Sequence, residues 1–363
     1  MINGTISNRQ LTVLAVIYII GSSILIAPSG LAVQAKQDAW IAAMLGTAIG
    51  LMPIPLFSKL GKLYPDLTIV QYSEKILGKW LGKAVSLCFL SFPFLISFLV
   101  LRNIGDFITT AIMPETPIEA IHLLFLAVVV MGVRLGLEVV SRASEIFFPW
   151  TVVLFLLIAF TLLPQIDLQK VEPVLAEGIM PVVRATFPLL GTSFWQLSVF
   201  LMLFPYVKAV HKAGRAIFIG SLLGGSVLII ITVLSILVLG SDTTARHIYP
   251  TFTLAKKINI GDFLERMEAV VAGIWFLTIF FKLAICYYAV VIGFAQILKL
   301  KDYRPIVLPI AFTIIVMSIA AYPNTPFFLN FTKTAWIPYA FMCGIGIPLL
   351  LLTVAEIRKI NKK

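Results

Sequence analysis

The segment LTVLAVIYIIGSSILIAPSGLA at residues 11–32 is a long apolar run that is interrupted near its middle by Gly21-Ser22-Ser23. A second apolar segment, PVVRATFPLLGTSFWQLSVFLMLF at residues 181–204, is interrupted in the same way by Gly191-Thr192-Ser193. Glycine beside small hydroxyl residues is a poor choice for a lipid-facing helix, but it suits a place where backbone must face a ligand. Each segment opens a run of five apolar spans, which is typical of secondary transporters built from two inverted repeats.

The composition places the chain in a membrane. Sixty per cent of its 363 residues are hydrophobic, 12% are charged, and the mean hydropathy is +1.01. A soluble domain carries about 25% charged residues, so these charges are too few to solvate a globular surface of this length. The net charge of +11 is spread in short clusters at alternate span ends, and we therefore expect no binding to nucleic acid.

Ten apolar segments are long enough to cross a lipid bilayer as helices, which predicts an all-α integral membrane protein with a 5+5 inverted repeat. The predicted spans are roughly 10–34, 40–60, 80–102, 117–134, 143–163, 183–207, 215–240, 264–298, 304–322 and 335–356. They form a single polytopic membrane domain, with repeat one at about 10–163 and repeat two at about 183–356. The two interrupted segments are then the first and sixth spans, which are matched positions of the repeats.

The distribution of basic residues orients the chain. Of the 28 lysines and arginines, roughly twice as many fall on the side that carries both termini as on the other side. Because cytoplasmic loops are enriched in basic residues, both termini are expected to be cytoplasmic. An interfacial helix is predicted within 61–79 on that side. The longest outer loop, 241–263, is expected to hold a short helix near 253–258, and the outer loop 164–182 is a further candidate for one.

The two breaks offer chemistry that a continuous helix does not. The freed N–H groups at the positive end of a half-helix suit a carboxylate, and the freed carbonyls suit an ammonium or a small cation. A zwitterionic amino acid satisfies both sets. The alternative is close packing of small residues against neighbouring helices, which is our interpretation of Gly46-x-x-x-Gly50 and Gly220-x-x-x-Gly224. Breaks in two matching spans favour the ligand site.

Lys282 is the one basic residue that lies deep within a predicted span. A charge inside the membrane is costly and is a functional-site hypothesis by default. Facing the first break, its ammonium would replace a coupling sodium ion or meet a substrate carboxylate. A structural pair with Glu145 or with a backbone carbonyl, or snorkelling from a shallower depth, explains the residue equally well. Tyr287 lies about a turn away and is a candidate to add a hydroxyl to the pocket.

Other charges lie near span ends. Glu145 follows Arg142 by three residues near the cytoplasmic end of the fifth span, and we interpret the two as a cytoplasmic gate or structural pair rather than a proton carrier. Arg102 and Asp106, four residues apart, are expected to form an ordinary surface pair. The eighth span is expected to begin with three solvated charges, Glu265, Arg266 and Glu268.

No enzyme is expected from the sequence. It contains no G-x-x-x-x-G-K phosphate loop and no H-E-x-x-H motif. The histidines, His122, His211 and His247, lie at or near span ends on both sides. The cysteines, Cys88, Cys286 and Cys343, fall inside apolar spans without the spacing of a disulfide framework or a metal site. We therefore expect no catalytic centre, cofactor or metal.

An ordered series of motifs resembles a known family. The motifs are GSSIL at 21–25 with PSG at 28–30, YPD at 64–66 leading to YSE at 72–74, EIFFP at 145–149, FLMLFPY at 200–206, and YPT at 249–251 through IGDFLER at 260–266. In these stretches the chain resembles the B-subunit of the spore germinant receptors, a branch of the amino acid–polyamine–organocation transporter superfamily. The first-span glycine motif of the superfamily falls on residues 21–23, where its second glycine is replaced by Ser23.

The resemblance implies a ten-span fold of the leucine-transporter type. It implies a small germinant, usually an amino acid, bound between the first, third, sixth and eighth spans. It also implies a complex with an A-subunit and a lipoprotein C-subunit in the inner membrane of the spore. The residues then expected to bind the germinant are Gly21, Ser22, Ser23, Gly191, Thr192, Ser193, Phe194, Phe94, Ser97 and Tyr287. The resemblance favours a sensor, whereas the fold alone favours an amino-acid permease.

Overall fold

A computed structural model describes residues 4–258 and 267–358. Within these ranges the regular structure is helical, apart from an isolated bridge between Ile6 and Val207. The α-helices are α1 (Asn8–Ile20), α2 (Ser23–Ala35), α3 (Ala39–Leu51), α4 (Ile54–Leu63), α5 (Ile69–Leu77), α6 (Lys79–Phe107), α7 (Ile118–Leu135), α8 (Leu137–Leu162), α9 (Ile179–Leu189), α10 (Val210–Leu239), α11 (Ser241–Arg246), α12 (Pro250–Ala255), α13 (Met267–Ile297), α14 (Arg304–Ala320), α15 (Thr325–Thr334), α16 (Trp336–Phe341) and α17 (Ile347–Ile357).

Eight described helical stretches could cross a membrane by their length and composition. They are Ser23–Leu63, Lys79–Ile112, Ile118–Leu135, Leu137–Gln165, Ile179–Met202, Val210–Leu239, Met267–Ile297 and Trp336–Ile357. The predicted count of ten is not reproduced in full by this criterion, because α1 and α14 fall short of 18 residues and the first stretch joins two predicted spans. Within that stretch Lys36 has a φ of +47°, and α2 and α3 contact each other across this turn.

Both predicted breaks are present in the structure. Helix α1 ends at Ile20, the Gly21 N–H bonds to the Ile17 carbonyl at 2.8 Å, and α2 begins at Ser23. Helix α9 ends at Leu189 and continues as a π-helical segment, Leu190–Phe194, and then as a 3-10 segment, Trp195–Met202. The change of pitch at Gly191 re-aims the backbone carbonyls, and π segments are frequent at functional sites.

Glycines let the first span sit close to its neighbours, as predicted. A Cβ built on Gly220 of α10 would lie 2.5 Å from the Thr12 carbonyl oxygen, and one on Gly224 would lie 2.8 Å from the Cβ of Ile19. On α3, a Cβ on Gly46 would lie 2.9 Å from a methyl group of Leu189. The backbones of α1 and α10 are therefore in close contact, and the Leu189 side chain of α9 packs directly on the backbone of α3 at Gly46.

The short peripheral helices fit the predictions in part. Helix α5 matches the helix expected within 61–79 and packs its apolar face against α6. Helix α12 begins at Pro250, earlier than expected, because proline is suited to the first turn of a helix. Residues 164–182 contain short 3-10 turns, the clearest being Leu168–Val171. Glu265, Arg266 and the motif at 260–266 lie outside the described residues, and the division into two repeats within one domain stays a prediction.

Candidate ligand site between the two broken helices

The two breaks meet in the interior of the bundle. The Ser23 hydroxyl lies 2.6 Å from the Ser193 hydroxyl, and both side chains are buried. These serines are 170 residues apart in sequence, so the hydrogen bond joins the first break directly to the second. The two Gly-hydroxyl tripeptides therefore form one place in the fold, which we call the break junction (residues 21–23 and 191–193).

Lys282 of α13 reaches into the break junction. Its ammonium donates to the Ser22 hydroxyl at 2.9 Å and to the Thr192 carbonyl at 3.1 Å, so it touches both breaks. The ammonium also lies 5.2 Å from the centre of the Tyr18 ring, within cation–π range. The residue is fully buried. Among the described residues it forms no ion pair with a carboxylate. Within the described residues the positive charge of Lys282 is therefore stabilised by the dipoles of the Ser22 hydroxyl and the Thr192 carbonyl and by the Tyr18 ring, not by an anion. Burying a charge without a counterion is costly.

Lys282 thus faces the first break, and its structural partner is a backbone carbonyl rather than Glu145. Glu145 instead accepts from the Gln10 side chain at 3.0 Å and lies 3.5 Å from the Arg9 guanidinium. Arg142 pairs with Glu138 in the preceding turn of α8. The expected pair of Glu145 with Arg142 is therefore not formed, because Glu145 links α8 to the start of α1.

The carbonyls of the second break are already occupied within the protein. The Gly191 carbonyl accepts from the Trp336 indole N–H at 3.0 Å and from the side-chain amide of Gln196 at 3.1 Å. The Thr192 hydroxyl donates back to the Pro188 carbonyl at 2.8 Å. Since Lys282 takes the Thr192 carbonyl, these oxygens do not stand free for a ligand ammonium. The sequence could not show this, because the three donors to these carbonyls, Trp336, Gln196 and Lys282, come from distant or differently wound segments.

A cavity of about 180 Å³ reaches the break junction from the side of α11 and α15. Ser22, Ser23 and Thr192 of the break junction line it, whereas Lys282, which is hydrogen-bonded to Ser22 and Thr192, does not. Its walls are largely apolar side chains of α2 and α9, and its lining includes the basic residues Arg246, His247 and Lys333. No carboxylate is among the described residues that line it. The volume is below the roughly 300 Å³ at which drug-sized pockets begin, which favours a small ligand.

Seven of the ten residues expected to bind the ligand do not line this cavity: Gly21, Gly191 and Ser193 of the break junction, and Ser97, Tyr287, Phe94 and Phe194. The last four have partners elsewhere. Ser97 donates to the Pro93 carbonyl of its own helix at 2.7 Å, and the Tyr287 hydroxyl donates to the Val307 carbonyl of α14. Phe94 packs edge-on against Phe98 at 5.7 Å. Phe194 is buried against Gly50 of α3. Each of these four side chains has a partner in its own or a neighbouring helix and does not reach the cavity.

A polar cluster beside the cavity was not foreseen. Arg102 and Asp106 do pair, at 2.9 Å, but their side chains are only 15% and 20% exposed, so the expected surface pair is a mostly buried one. The Tyr322 hydroxyl donates to Asp106 at 2.6 Å, and the Arg102 guanidinium stacks over the Tyr322 ring. Asn103, on the same turn of α6, lines the cavity. The i, i+4 spacing was visible in the sequence, whereas the tyrosine lies 216 residues away.

The same fold and motifs occur in known proteins. A family model described as spore germination protein matches residues 5–326. The chain belongs to this family. Spore germination protein KB of Bacillus subtilis (strain 168) is 32% identical over 334 residues, covering 90% of this chain and 87% of that protein. YndE, a spore germination protein of the same strain, is 28% identical over 362 residues, covering 99% and 98% of the two chains.

Two solved structures share the fold of this family member. MhsT in complex with L-phenylalanine superposes with a TM-score of 0.70 at 13% identity, covering 96% of this chain and 97% of MhsT. Mhp1 is a nucleobase-cation-symport-1 family transporter in a closed conformation with bromovinylhydantoin bound. It superposes with a TM-score of 0.67 at 15% identity, covering 94% of this chain and 78% of Mhp1. The leucine-transporter type of fold with broken first and sixth helices, expected from the sequence, is confirmed.

Proposed function

We propose that the chain is the transporter-like membrane subunit of a spore germinant receptor, and that it binds a small germinant, an amino acid, at the break junction. The single observation that carries this proposal is the buried Lys282 ammonium, which contacts both breaks without a carboxylate partner among the described residues. A ligand carboxylate at this point would supply the missing negative charge and gain a charge-assisted hydrogen bond.

Binding is coupled to signalling through the junction itself. A ligand that contacts Ser22, Thr192 and Lys282 together favours the conformation in which the two breaks are close, and it shifts the population toward that conformation. The A-subunit and the lipoprotein C-subunit, with which the family resemblance associates such a chain, read the shift. In this proposal the protein lies in the inner membrane of the spore with both termini cytoplasmic, so that the cavity opens outward. No enzymatic reaction and no cofactor are part of it.

Binding and transport measured on the same preparation test the proposal. The purified chain is screened against amino acids by thermal shift, because a ligand that binds the native state raises its apparent stability. The amino acid that binds is then supplied in radiolabelled form to proteoliposomes that contain this chain alone. We expect a stabilising amino acid and no concentrative uptake. Robust uptake would instead assign the chain to an amino-acid permease, and the absence of any stabilising amino acid would contradict the site.

Ligand binding is expected not to require sodium. Hydroxyl and carbonyl oxygens at an unwound helix are the groups that coordinate sodium in transporters of this type. Here the Lys282 ammonium lies between two such oxygens, those of Ser22 and Thr192, and takes the place of the cation. The thermal shift produced by the amino acid should be equal in sodium chloride and in choline chloride of the same ionic strength. A shift seen only with sodium would contradict this role of the ammonium.

Basic residues at the outer part of the cavity are expected to speed ligand capture. Arg246 and Lys333 line the cavity and are exposed. Neutralising both, Arg246→Gln with Lys333→Gln, should slow association of an amino acid with an acidic side chain, which carries a net negative charge, about tenfold at low salt, and less at high salt, because screening removes the steering. Stopped-flow binding measures the rate. Lys257→Gln is the matched control, since Lys257 is exposed near the same loop without lining the cavity. An equal loss in the control would refute local steering.

A further inference from the structure

A second cavity lies between the end of α7 and the start of α14. It has a volume of about 560 Å³ and is lined by Ala127, Val130, Met131, Arg134, Leu135 and Arg304. We call it the two-arginine groove. It shares no lining residue with the cavity at the break junction, so the two are separate places in the fold.

Hydrogen bonds join the two helix ends that carry the arginines of the groove. The Arg304 side chain donates from Nε to the Arg134 carbonyl at 3.3 Å. The neighbouring Tyr303 hydroxyl donates to the Val133 carbonyl at 3.1 Å, and Tyr303 is buried. These bonds fasten the first residues of α14 to the last turn of α7. The Arg304 guanidinium is therefore held at the backbone of Arg134, the residue whose own guanidinium also lines the groove.

The groove carries positive charge without an internal counterion. Among the described residues neither arginine takes part in an ion pair, and no carboxylate lines the groove. Asp302, the acidic residue nearest in sequence, accepts from the Arg304 backbone N–H at 3.3 Å as the helix begins. Two guanidinium groups on one rim repel each other, and their forked donors match the oxygens of a phosphate.

The rest of the lining is apolar and faces outward. Met131 and Leu135 are 59% and 57% exposed, on the face of α7 that the bundle leaves uncovered. Basic groups at the ends of membrane helices lie at the level of lipid headgroups, and apolar residues deeper along the same helix meet the acyl chains. Basic pockets between helices on the cytoplasmic side are suited to anionic headgroups.

We infer that the two-arginine groove binds one anionic phospholipid of the cytoplasmic leaflet, with its phosphate on Arg134 and Arg304 and an acyl chain along Met131 and Leu135. A free phosphate would use the arginines alone. The lipid uses the arginines and the apolar wall together, and that combination is what the lining provides.

Native mass spectrometry of the purified chain, supplied with phosphatidylglycerol or with phosphatidylcholine, tests this inference. We expect one phosphatidylglycerol to be retained in preference to phosphatidylcholine. The double variant Arg134→Gln/Arg304→Gln should lower that preference about tenfold or more, given the attraction of roughly one kcal/mol that each basic group contributes near an anionic surface. The matched control is Lys212→Gln/Arg215→Gln, which removes two exposed charges from the start of α10 outside the groove.

Two further measurements keep the test decisive. Ala127→Phe fills the groove without changing charge and should also reduce lipid retention, which covers the case in which the arginine variant does not fold. Excess inorganic phosphate should leave the bound lipid in place, because the apolar wall contributes to retention. Equal retention of the two lipids, an equal loss in the control variant, or displacement by inorganic phosphate would overturn the inference.

Discussion

Spores in which Lys282 is replaced by methionine should need at least about 100-fold more germinant for the same response, because two charge-assisted contacts and the partner for the ligand carboxylate are lost together. The ammonium contacts Ser22 and Thr192, one in each broken helix. Methionine keeps the length and apolar stem of the side chain. Replacing a buried charge by an apolar group of similar volume is often neutral or stabilising, so the chain should still accumulate. Germination is followed against germinant concentration, and protein abundance by immunoblot.

Lys83→Met supplies the matched control for this variant. Lys83 also donates to a backbone carbonyl, that of Ile297 at 3.4 Å, but it lies at the start of α6 away from the break junction. We expect its dose–response curve to stay close to that of the unchanged chain. If Lys282→Met accumulated normally and responded like Lys83→Met, the ammonium would have no part in ligand recognition.

The broken helices were predictable because their signal is local. A glycine beside hydroxyl residues within an apolar run marks a break from sequence alone, and the structure has both breaks at Gly21 and Gly191. The facing of Lys282 was not predictable. Helix α13 is buried on nearly all sides, so its apolar residues show no preferred face from which the direction of one lysine could be derived. The sequence therefore left a site lysine and a structural lysine equally open.

Side-chain partners across the bundle were the other part that the sequence could not supply. A serine in a helix can bond to the carbonyl four residues earlier, as Ser97 does, and nothing in its neighbours distinguishes this from a serine that faces a ligand. The partner of Asp106 is Tyr322, from a distant helix end. Long-range contacts of this kind depend on how the helices pack, which local patterns do not specify.

Alanine at position 21 should weaken the response, whereas alanine at position 191 should preserve it. A Cβ on Gly21 would lie 2.6 Å from Cδ of Lys282 and 3.1 Å from the Tyr18 carbonyl oxygen, so the lysine must move away from Ser22. A Cβ on Gly191 would meet its nearest atom, Cδ1 of Trp336, at 3.4 Å, which is an ordinary contact. The overpacking caused by Gly21→Ala is of a kind that typically costs about 1–3 kcal/mol of stability. Loss of the aligned ammonium should raise the germinant requirement about tenfold or more.

A double-mutant cycle identifies the clash. Gly21→Ala, Lys282→Ala and the combination of both are purified, and their unfolding midpoints are compared, because coupling between two sites appears as a departure from additivity. If the added methyl group collides with the lysine, removing the lysine side chain relieves the strain, and Gly21→Ala destabilises the Lys282→Ala background much less than the unchanged chain. A strictly additive cycle would place the strain elsewhere, against the Tyr18 backbone, and would separate the first break from the ammonium. Gly191→Phe completes the comparison: Gly191 is buried and its Cβ would already contact Trp336 at 3.4 Å, so the added ring should disturb the break and lose the response that Gly191→Ala retains.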